Sequence, residues 1–482
     1  MARILWQSCA PWSCSGYGQQ TAVWSRWLRD AGHEVFIATY WGLSGSVTQW
    51  DGIPVLPGFG GSYCSPSLQQ HARHVQPDLV ITLGDVWVMD PGVLKELPVA
   101  HWLPADCRPM SVADRNVVEA GGASLIAMSK FGLERFRDAG FGNALYVPHG
   151  VPFDTWTIPE DRAALREAAG IGPETFVVGV NAANNDAIRK APAEMLLAFA
   201  KFLRSRPDSL LWLHTAVHCD GGQDLEFLAE SLGITDRVRV VDQYRYNAGL
   251  IQPQDLAEWY GACDVLLAAT YAEGFGLPIV ESMACGTPVI TTKCSSMEEL
   301  NPDGIQVDGE PFFNGVHKGW WIRPSVSGMV AALEQSYEQR GDVDPVKLRE
   351  SVAAYEVERV AQEHMGPAVD VLLERMAARK AALRDLGLRG LPLVTATSQG
   401  AERADARADA GLVVRQVNRR GVTPVPVNPL LAAELHAAQR ARQPEVAAAP
   451  GEVAGHDALP HYLRVGKVDQ GIVRIVAAHD HR

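Results

Sequence analysis

The segment Ala272-Glu-Gly-Phe-Gly-Leu-Pro-Ile-Val-Glu281 sets two carboxylates, two glycines and a proline in the order needed at a ligand-holding helix start. It follows an apolar run at 265–269 that reads as a buried strand, turns through Gly274 and Gly276, and opens a helix with Pro278 in its first turn. Glycines let backbone come close to a ligand, and the N–H groups of a first helical turn have no intrahelical partner and face outward as an anion site. A diphosphate suits that chemistry. Glu281, about one turn into the helix, can accept both hydroxyls of a ribose, and Glu273, in the loop before it, can hold a second polyol.

A bound diphosphate needs positive charge. The acidic clusters of the chain lack metal-ligand spacing, so no metal and no cofactor is expected and the charge must come from side chains. Arg189-Lys190 is the candidate: it follows an apolar run at 176–180 across the polar loop 181–187, and so stands at the carboxyl end of an expected strand. A second glycine turn, Ser15-Gly16-Tyr17-Gly18-Gln19-Gln20, precedes the first expected helix. It lacks the third glycine of a dinucleotide fingerprint, because position 21 is Thr21. The pairs Trp24 with Trp27 and Trp320 with Trp321 read most simply as core aromatics.

Two glutamates separated by seven residues around Gly-Phe-Gly-Leu-Pro resemble the donor motif of family 4 retaining glycosyltransferases, the glycogen synthase-like group. The likeness extends through Ser282-Met-Ala-Cys-Gly-Thr-Pro-Val-Ile and back through Leu256-Ala-Glu-Trp-Tyr-Gly-Ala-Cys-Asp-Val-Leu-Leu. It implies an α/β GT-B fold of two facing Rossmann-like domains with a central cleft, C-terminal helices and a partly disordered tail. It implies a retaining, front-face transfer of a hexose from a UDP- or GDP-sugar to an acceptor hydroxyl, the acceptor being a glycan, lipid, protein or small molecule. By the same resemblance Glu281 binds the ribose, Glu273 the hexose, and Arg189 and Lys190 the phosphates. The turn of Gly274, with the amides of Phe275, Gly276 and Leu277, meets sugar hydroxyls and phosphate. Gly16 and Gly18 line the cleft, His101 lies near the hexose, and Tyr244 is placed to meet the nucleobase. Ser129-Lys130 and Pro148-His149-Gly150-Val151 mark the cleft side of the first domain. Two departures stand out: the loop 181–187 is longer than the family's commonest version, and His149 stands where asparagine is common.

These residues need a scaffold of strand ends. Short apolar runs bounded by Gly, Pro and Asp alternate with helical patterns, as in parallel βαβ units. The first half offers strands at 3–8, 34–40, 79–83, 99–103, 124–128 and 145–148, with a helix at 19–31. The second offers strands at 176–180, 210–214, 238–241, 265–269 and 289–292, with helices at 193–205, 224–232, 255–263 and 277–284. Two such series predict two Rossmann-like domains, 1–155 on the acceptor side and 156–345 for the nucleotide sugar. A helical segment at 346–385, including a long helix at 352–376, is expected to pack back on the first domain, and 386–482 reads as an Ala/Pro-rich, weakly ordered extension with apolar runs at 430–435 and 472–478.

Bulk properties agree. The 482 residues are 47% apolar, enough for two cores, and a net charge of −13 gives no global attraction to nucleic acid or anionic lipid. None of the eight cysteines forms a C-x-x-C pair. The apolar start Ile4-Leu5-Trp6 is ended by Gln7-Ser8, too soon for a signal peptide, and no run approaches the ~20 apolar residues of a membrane span. A cytoplasmic enzyme is the expectation, with peripheral membrane contact left open. The competing readings are a nucleotide-sugar epimerase, a nonenzymatic carbohydrate-binding protein and a nucleic-acid glucosyltransferase.

Overall fold

A computed structural model describes residues 1–61, 63 and 65–385; the extension expected at 386–482 lies outside the described residues. The first sheet contains β1 (Arg3–Cys9), β2 (Glu34–Trp41), β3 (Thr48–Trp50), β4 (Ile53–Leu56), β5 (Leu79–Leu83), β6 (Val99–Leu103), β7 (Ser124–Ala127) and β8 (Leu145–Tyr146). Their order is β3-β4-β2-β1-β5-β6-β7-β8, parallel except where β3 pairs antiparallel with β4. Central strands such as β5 and β6 are buried along their whole length, as strands covered by helices on both faces must be.

The second sheet contains β9 (Val177–Asn181), β10 (Leu210–His214), β11 (Val238–Val240), β12 (Val265–Ala268), β13 (Val289–Thr292) and β14 (Ile305–Val307), all parallel in the order β11-β10-β9-β12-β13-β14. Every strand expected from the apolar runs is present, with ends moved by two residues or fewer. The two series therefore fold as a doubly wound α/β pair.

Three features depart from expectation. The hairpin β3 to β4 turns on Asp51 and Gly52, both at positive φ, a two-residue turn whose strands are too short to show a period. A second hairpin, β15 (Gly309–Asn314) with β16 (Gly319–Pro324), follows β14; β15 is half-buried to exposed throughout and β16 mixes buried with exposed positions, so neither runs apolar. The single helix expected at 352–376 is broken. Helix Pro345–Ser351 leads to a 3-10 turn at Ala353–Tyr355, helix Val357–Val360, a π turn at Ala361–Met365 and then helix Gly366–Asp385. The break falls at Glu356, an extended residue whose carboxylate accepts from the N–H groups of Glu358 and Arg359.

That break serves the domain junction. Val151 donates to Tyr355 O at 2.8 Å and Val357 donates to Val151 O at 3.1 Å, so the chain crosses the end of the first domain as a strand-like bridge. The last helix then packs Ala368, Val369 and Leu372 into the core cluster of Ile4, Trp24 and Val147, and Arg375 donates to Asn143 O. No helix among the described residues is long and apolar enough to cross a membrane.

Candidate functional site

The loop carrying Arg189 and Lys190 is fixed from both sides. The Asp186 carboxylate accepts from the N–H groups of Ile188 and Arg189, and Tyr271 donates its N–H to Arg189 O at 2.8 Å. Ala191 then turns the chain at φ +51° into the helix Pro192–Phe202. The two cations converge on one acid: Lys190 Nζ lies 2.6 Å from Glu273 Oε1, and Arg189 Nη1 lies 3.3 Å from Glu273 Oε2.

Burial alone would raise the Glu273 carboxyl, but Lys190 and Arg189 override it and hold the group below its ordinary range. Burial and then Arg189 pull the Lys190 ammonium below its usual range, with Glu273 opposing. Arg189 stays protonated because Glu273, Asp106 and Asp85 outweigh the cost of its burial. Two side-chain cations thus meet at the Glu273 carboxylate.

The Gly-Phe-Gly turn sits beside that trio. Ser295 Oγ accepts from Glu273 N–H, while Ser296 Oγ donates to the carbonyls of Glu273 and Phe275. Gly276 caps the helix Leu277–Ala284 at φ +110° with no side-chain cap, so the outward N–H groups of that turn are left to a ligand. Glycine is required at Gly274 by proximity: a Cβ there would stand 2.5 Å from Pro104 Cβ. A Cβ on Gly16 would stand 2.9 Å from Leu277 Cδ1, so the helix start after β1 touches the helix start after β12. A Cβ on Gly18 would meet Ser13 O at 2.3 Å, which closes the turn capped by Ser15.

Glu281 is 2% exposed and accepts from the Tyr260 hydroxyl at 2.9 Å; that hydroxyl accepts from Asn181 Nδ2 at 2.6 Å. Burial pushes the Glu281 carboxyl up to about 7, the Tyr260 bond opposing it. Asn181 Oδ1 in turn meets His214 Nδ1, which ties the end of β9 to the end of β10.

Two expected residues stand elsewhere. His101 lies in the middle of β6, not at its end; its ring is fully buried with Nδ1 2.5 Å from Thr82 Oγ1, and burial pushes its pKa down to about 3. Its other ring nitrogen, Nε2, is buried without a hydrogen-bond partner among the described residues. Tyr244 is 77% exposed on the short helix Gln243–Asn247. His149 lies between the rings of Trp102 and Phe275, at 4.7 and 5.1 Å between centroids, under the Gly-Phe-Gly turn. Lys130 donates its backbone N–H to the Glu299 carboxylate across the cleft.

The cleft also holds groups with no periodic signal. Asp85 follows β5 and Asp106 follows β6, both in the field of Arg189, with the Tyr17 hydroxyl beside them. Trp321 is a core aromatic as expected, packed with Cys107, Ala191, Tyr271 and Ala272, and its indole N–H donates to Asp106 Oδ1 at 3.2 Å; Trp320, 49% exposed, departs from that expectation. The hairpin β15 to β16 makes this contact. Arg108 and Trp320 exchange backbone bonds of 3.1 and 2.8 Å, and Val112 donates to His317 O. The available signal was positional: both acids, like Arg189, lie just past the carboxyl end of an apolar strand.

Two facing parallel sheets with a ligand-ready cleft between their carboxyl ends make the GT-B architecture. Its solved likenesses include sucrose-phosphate synthase from Thermosynechococcus elongatus, with a TM-score of 0.63 at 18% identity over 78% of this chain and 100% of that one. They also include HepE from Anabaena in complex with UDP and glucose, with a TM-score of 0.54 at 18% identity over 75% of this chain and 98% of that one. Within this fold, residues 180–338 match the family described as Glycosyl transferases group 1. A curated relative, D-inositol 3-phosphate glycosyltransferase 2 of Catenulispora acidiphila, is 33% identical over 294 residues. That alignment covers 58% of this chain and 59% of the relative's own length.

Proposed function

We propose that this protein is a retaining glycosyltransferase that moves a hexose from a UDP- or GDP-sugar to an acceptor hydroxyl without a metal. The observation that carries the reading is the convergence of Lys190 and Arg189 on Glu273 beside the uncapped helix start at Gly276. A diphosphate seated there meets two side-chain cations and the N–H groups of a helix start, which is the electrostatic help a leaving nucleoside diphosphate needs.

In this reading the Glu281 carboxylate exchanges its Tyr260 partner for the ribose hydroxyls, and Glu273 takes hydroxyls of the hexose. The leaving diphosphate oxygen takes the proton from the acceptor hydroxyl as the C1–O bond to phosphate breaks and the new glycosidic bond forms on the same face. Catalysis then rests on positioning and on fixed charge. The match of residues 180–338 and the likeness to a UDP- and glucose-bound structure support a nucleotide-sugar donor. The relative's printed name offers inositol 3-phosphate as one acceptor to try.

The test is release of nucleoside diphosphate from UDP-glucose, UDP-N-acetylglucosamine and GDP-mannose, followed by NMR of the anomeric configuration of the product. Retention at C1 with one donor and no added metal is expected. Inversion, or release of an epimerised sugar instead of transfer, would overturn the reading.

A further inference from the structure

The hairpin β15 to β16 belongs to the second half of the chain, yet backbone fastens it to the first domain. Trp320 donates to Arg108 O at 2.8 Å, Arg108 donates to Trp320 O at 3.1 Å, and Val112 donates to His317 O at 3.2 Å. The Trp321 indole adds its bond to Asp106. Gly319 permits the approach: a Cβ there would stand 2.7 Å from Cys107 Sγ and 2.9 Å from Cys107 Cβ. Phe313 and Trp320 stay 51% and 49% exposed, so hydrogen bonds rather than buried apolar area hold this face of the hairpin. Such bonds exchange readily with water, and a contact made of them can open and close.

The same strand continues into the donor site. Ile322 donates its N–H to Tyr271 O at 3.2 Å, and Tyr271 donates its N–H to Arg189 O at 2.8 Å. The Trp321 ring packs with Cys107 on one side of the cleft and, on the other, with Tyr271 and Ala272 just before Glu273 and with Ala191 just after Lys190. The Tyr271 hydroxyl donates to Glu194, and Arg323 pairs with the same carboxylate at 3.4 Å, so β16 also holds the helix that leaves the cation loop. Residues 320, 321 and 322 thus touch in turn the first domain, both domains, and the support of Arg189.

We propose that this hairpin is a clasp that couples closing of the cleft to the setting of Arg189 and Lys190, with Trp321 as the positioning residue at its centre. The inference rests on the diphosphate role proposed for those two cations. With the clasp fastened, segment 106–112 holds β16, β16 holds Tyr271, and Tyr271 holds the Arg189 carbonyl, which fixes the loop from which both cations project. Coupling of this kind is reciprocal: a diphosphate that draws on the cations must tighten the clasp, and loosening the clasp must weaken the diphosphate.

The experiment uses the full chain with UDP, GDP and their nucleosides. Binding of neither diphosphate in calorimetry sinks the donor reading itself, and the clasp with it. With the diphosphate that binds, hydrogen exchange is followed at the N–H groups of Arg108, Val112 and Trp320. The diphosphate is expected to slow all three by about tenfold or more, and the nucleoside far less. In the other direction, Trp321→Ala, and Gly319→Ala with its methyl against Cys107, should weaken the diphosphate about tenfold and change nucleoside affinity by about twofold or less. The ratio of the two affinities within one protein is insensitive to a loss of folded fraction, so a merely structural role would not move it. Exchange that the diphosphate leaves unchanged, or that the nucleoside slows as much, overturns the inference, as does a ratio that both variants leave at the wild-type value.

Discussion

The two carboxyl edges that face each other across the cleft are built from the same kind of βαβ unit and carry opposite charge. On the second sheet the ends of β9 and β12 supply Arg189, Lys190 and an uncapped helix start, with Glu273 between them. On the first, the ends of β5 and β6 supply Asp85 and Asp106, which lie in the field of Arg189 from the other edge. Backbone topology puts a ligand at both edges; side-chain charge decides which ligand. The cationic edge suits a diphosphate.

The sharpest way to break this contrast is to remove the cation closest to Glu273 on the donor wall. Lys190→Ala leaves Glu273 paired with Arg189 alone and should lower kcat/KM by roughly 100- to 1000-fold, read as nucleoside diphosphate release. Wild-type turnover in this variant would remove the phosphate assignment.

A smaller effect comes from the place where the edges touch. In Gly274→Ala the new methyl meets Pro104 Cβ and Cα at 2.5 and 3.0 Å, and neither atom can swing away. The two walls are forced apart, and roughly a tenfold fall in turnover is expected. Gly16→Ala meets only the flexible end of Leu277 at 2.9 Å and should cost about threefold or less. Equal losses in the two variants would show that the junction is not rigid at Pro104.

The two donor-side glutamates differ in pH behaviour. Glu281, whose carboxyl is raised from 4.5 to about 7, binds its proton more tightly in the native state than in the unfolded chain. Stability therefore falls as pH rises from about 4.5 to about 7 and is level above. Glu281→Gln removes that loss and should be more stable than wild type at pH 8 by roughly 1–3 kcal/mol in denaturant melts. Because ribose hydroxyls donate best to the ionised form, wild-type affinity for UDP should rise as pH passes about 7, and that rise should vanish in the variant. The smallest change is Trp321→Phe, which deletes the 3.2 Å bond to Asp106 and should cost about 1 kcal/mol.

The donor edge on the second sheet was far more legible in the sequence than the edge of the first sheet. Gly274, Gly276 and Glu281 lie within one strand-turn-helix, so local pattern alone brings them together. The Arg189-Lys190 pair could be placed at a strand end because β9 is a clean apolar run. Asp85 and Asp106 are 21 positions apart in loops without period, and only the order β1-β5-β6 makes them neighbours. His101 lies inside β6, fully buried with one ring nitrogen on Thr82, a burial that its residue type alone does not signal. The hairpin β15 to β16 escaped because its half-exposed strands, with Trp320 out and Trp321 in, read as aromatic core.

The central claim is that Lys190 and Arg189 hold the donor diphosphate. Calorimetric titration of UDP and of uridine into wild type and Lys190→Ala tests it directly. The account predicts that UDP binds wild type at least about tenfold tighter than uridine does, and that Lys190→Ala abolishes most of that difference while leaving uridine affinity intact. Equal affinity of both proteins for UDP would contradict it.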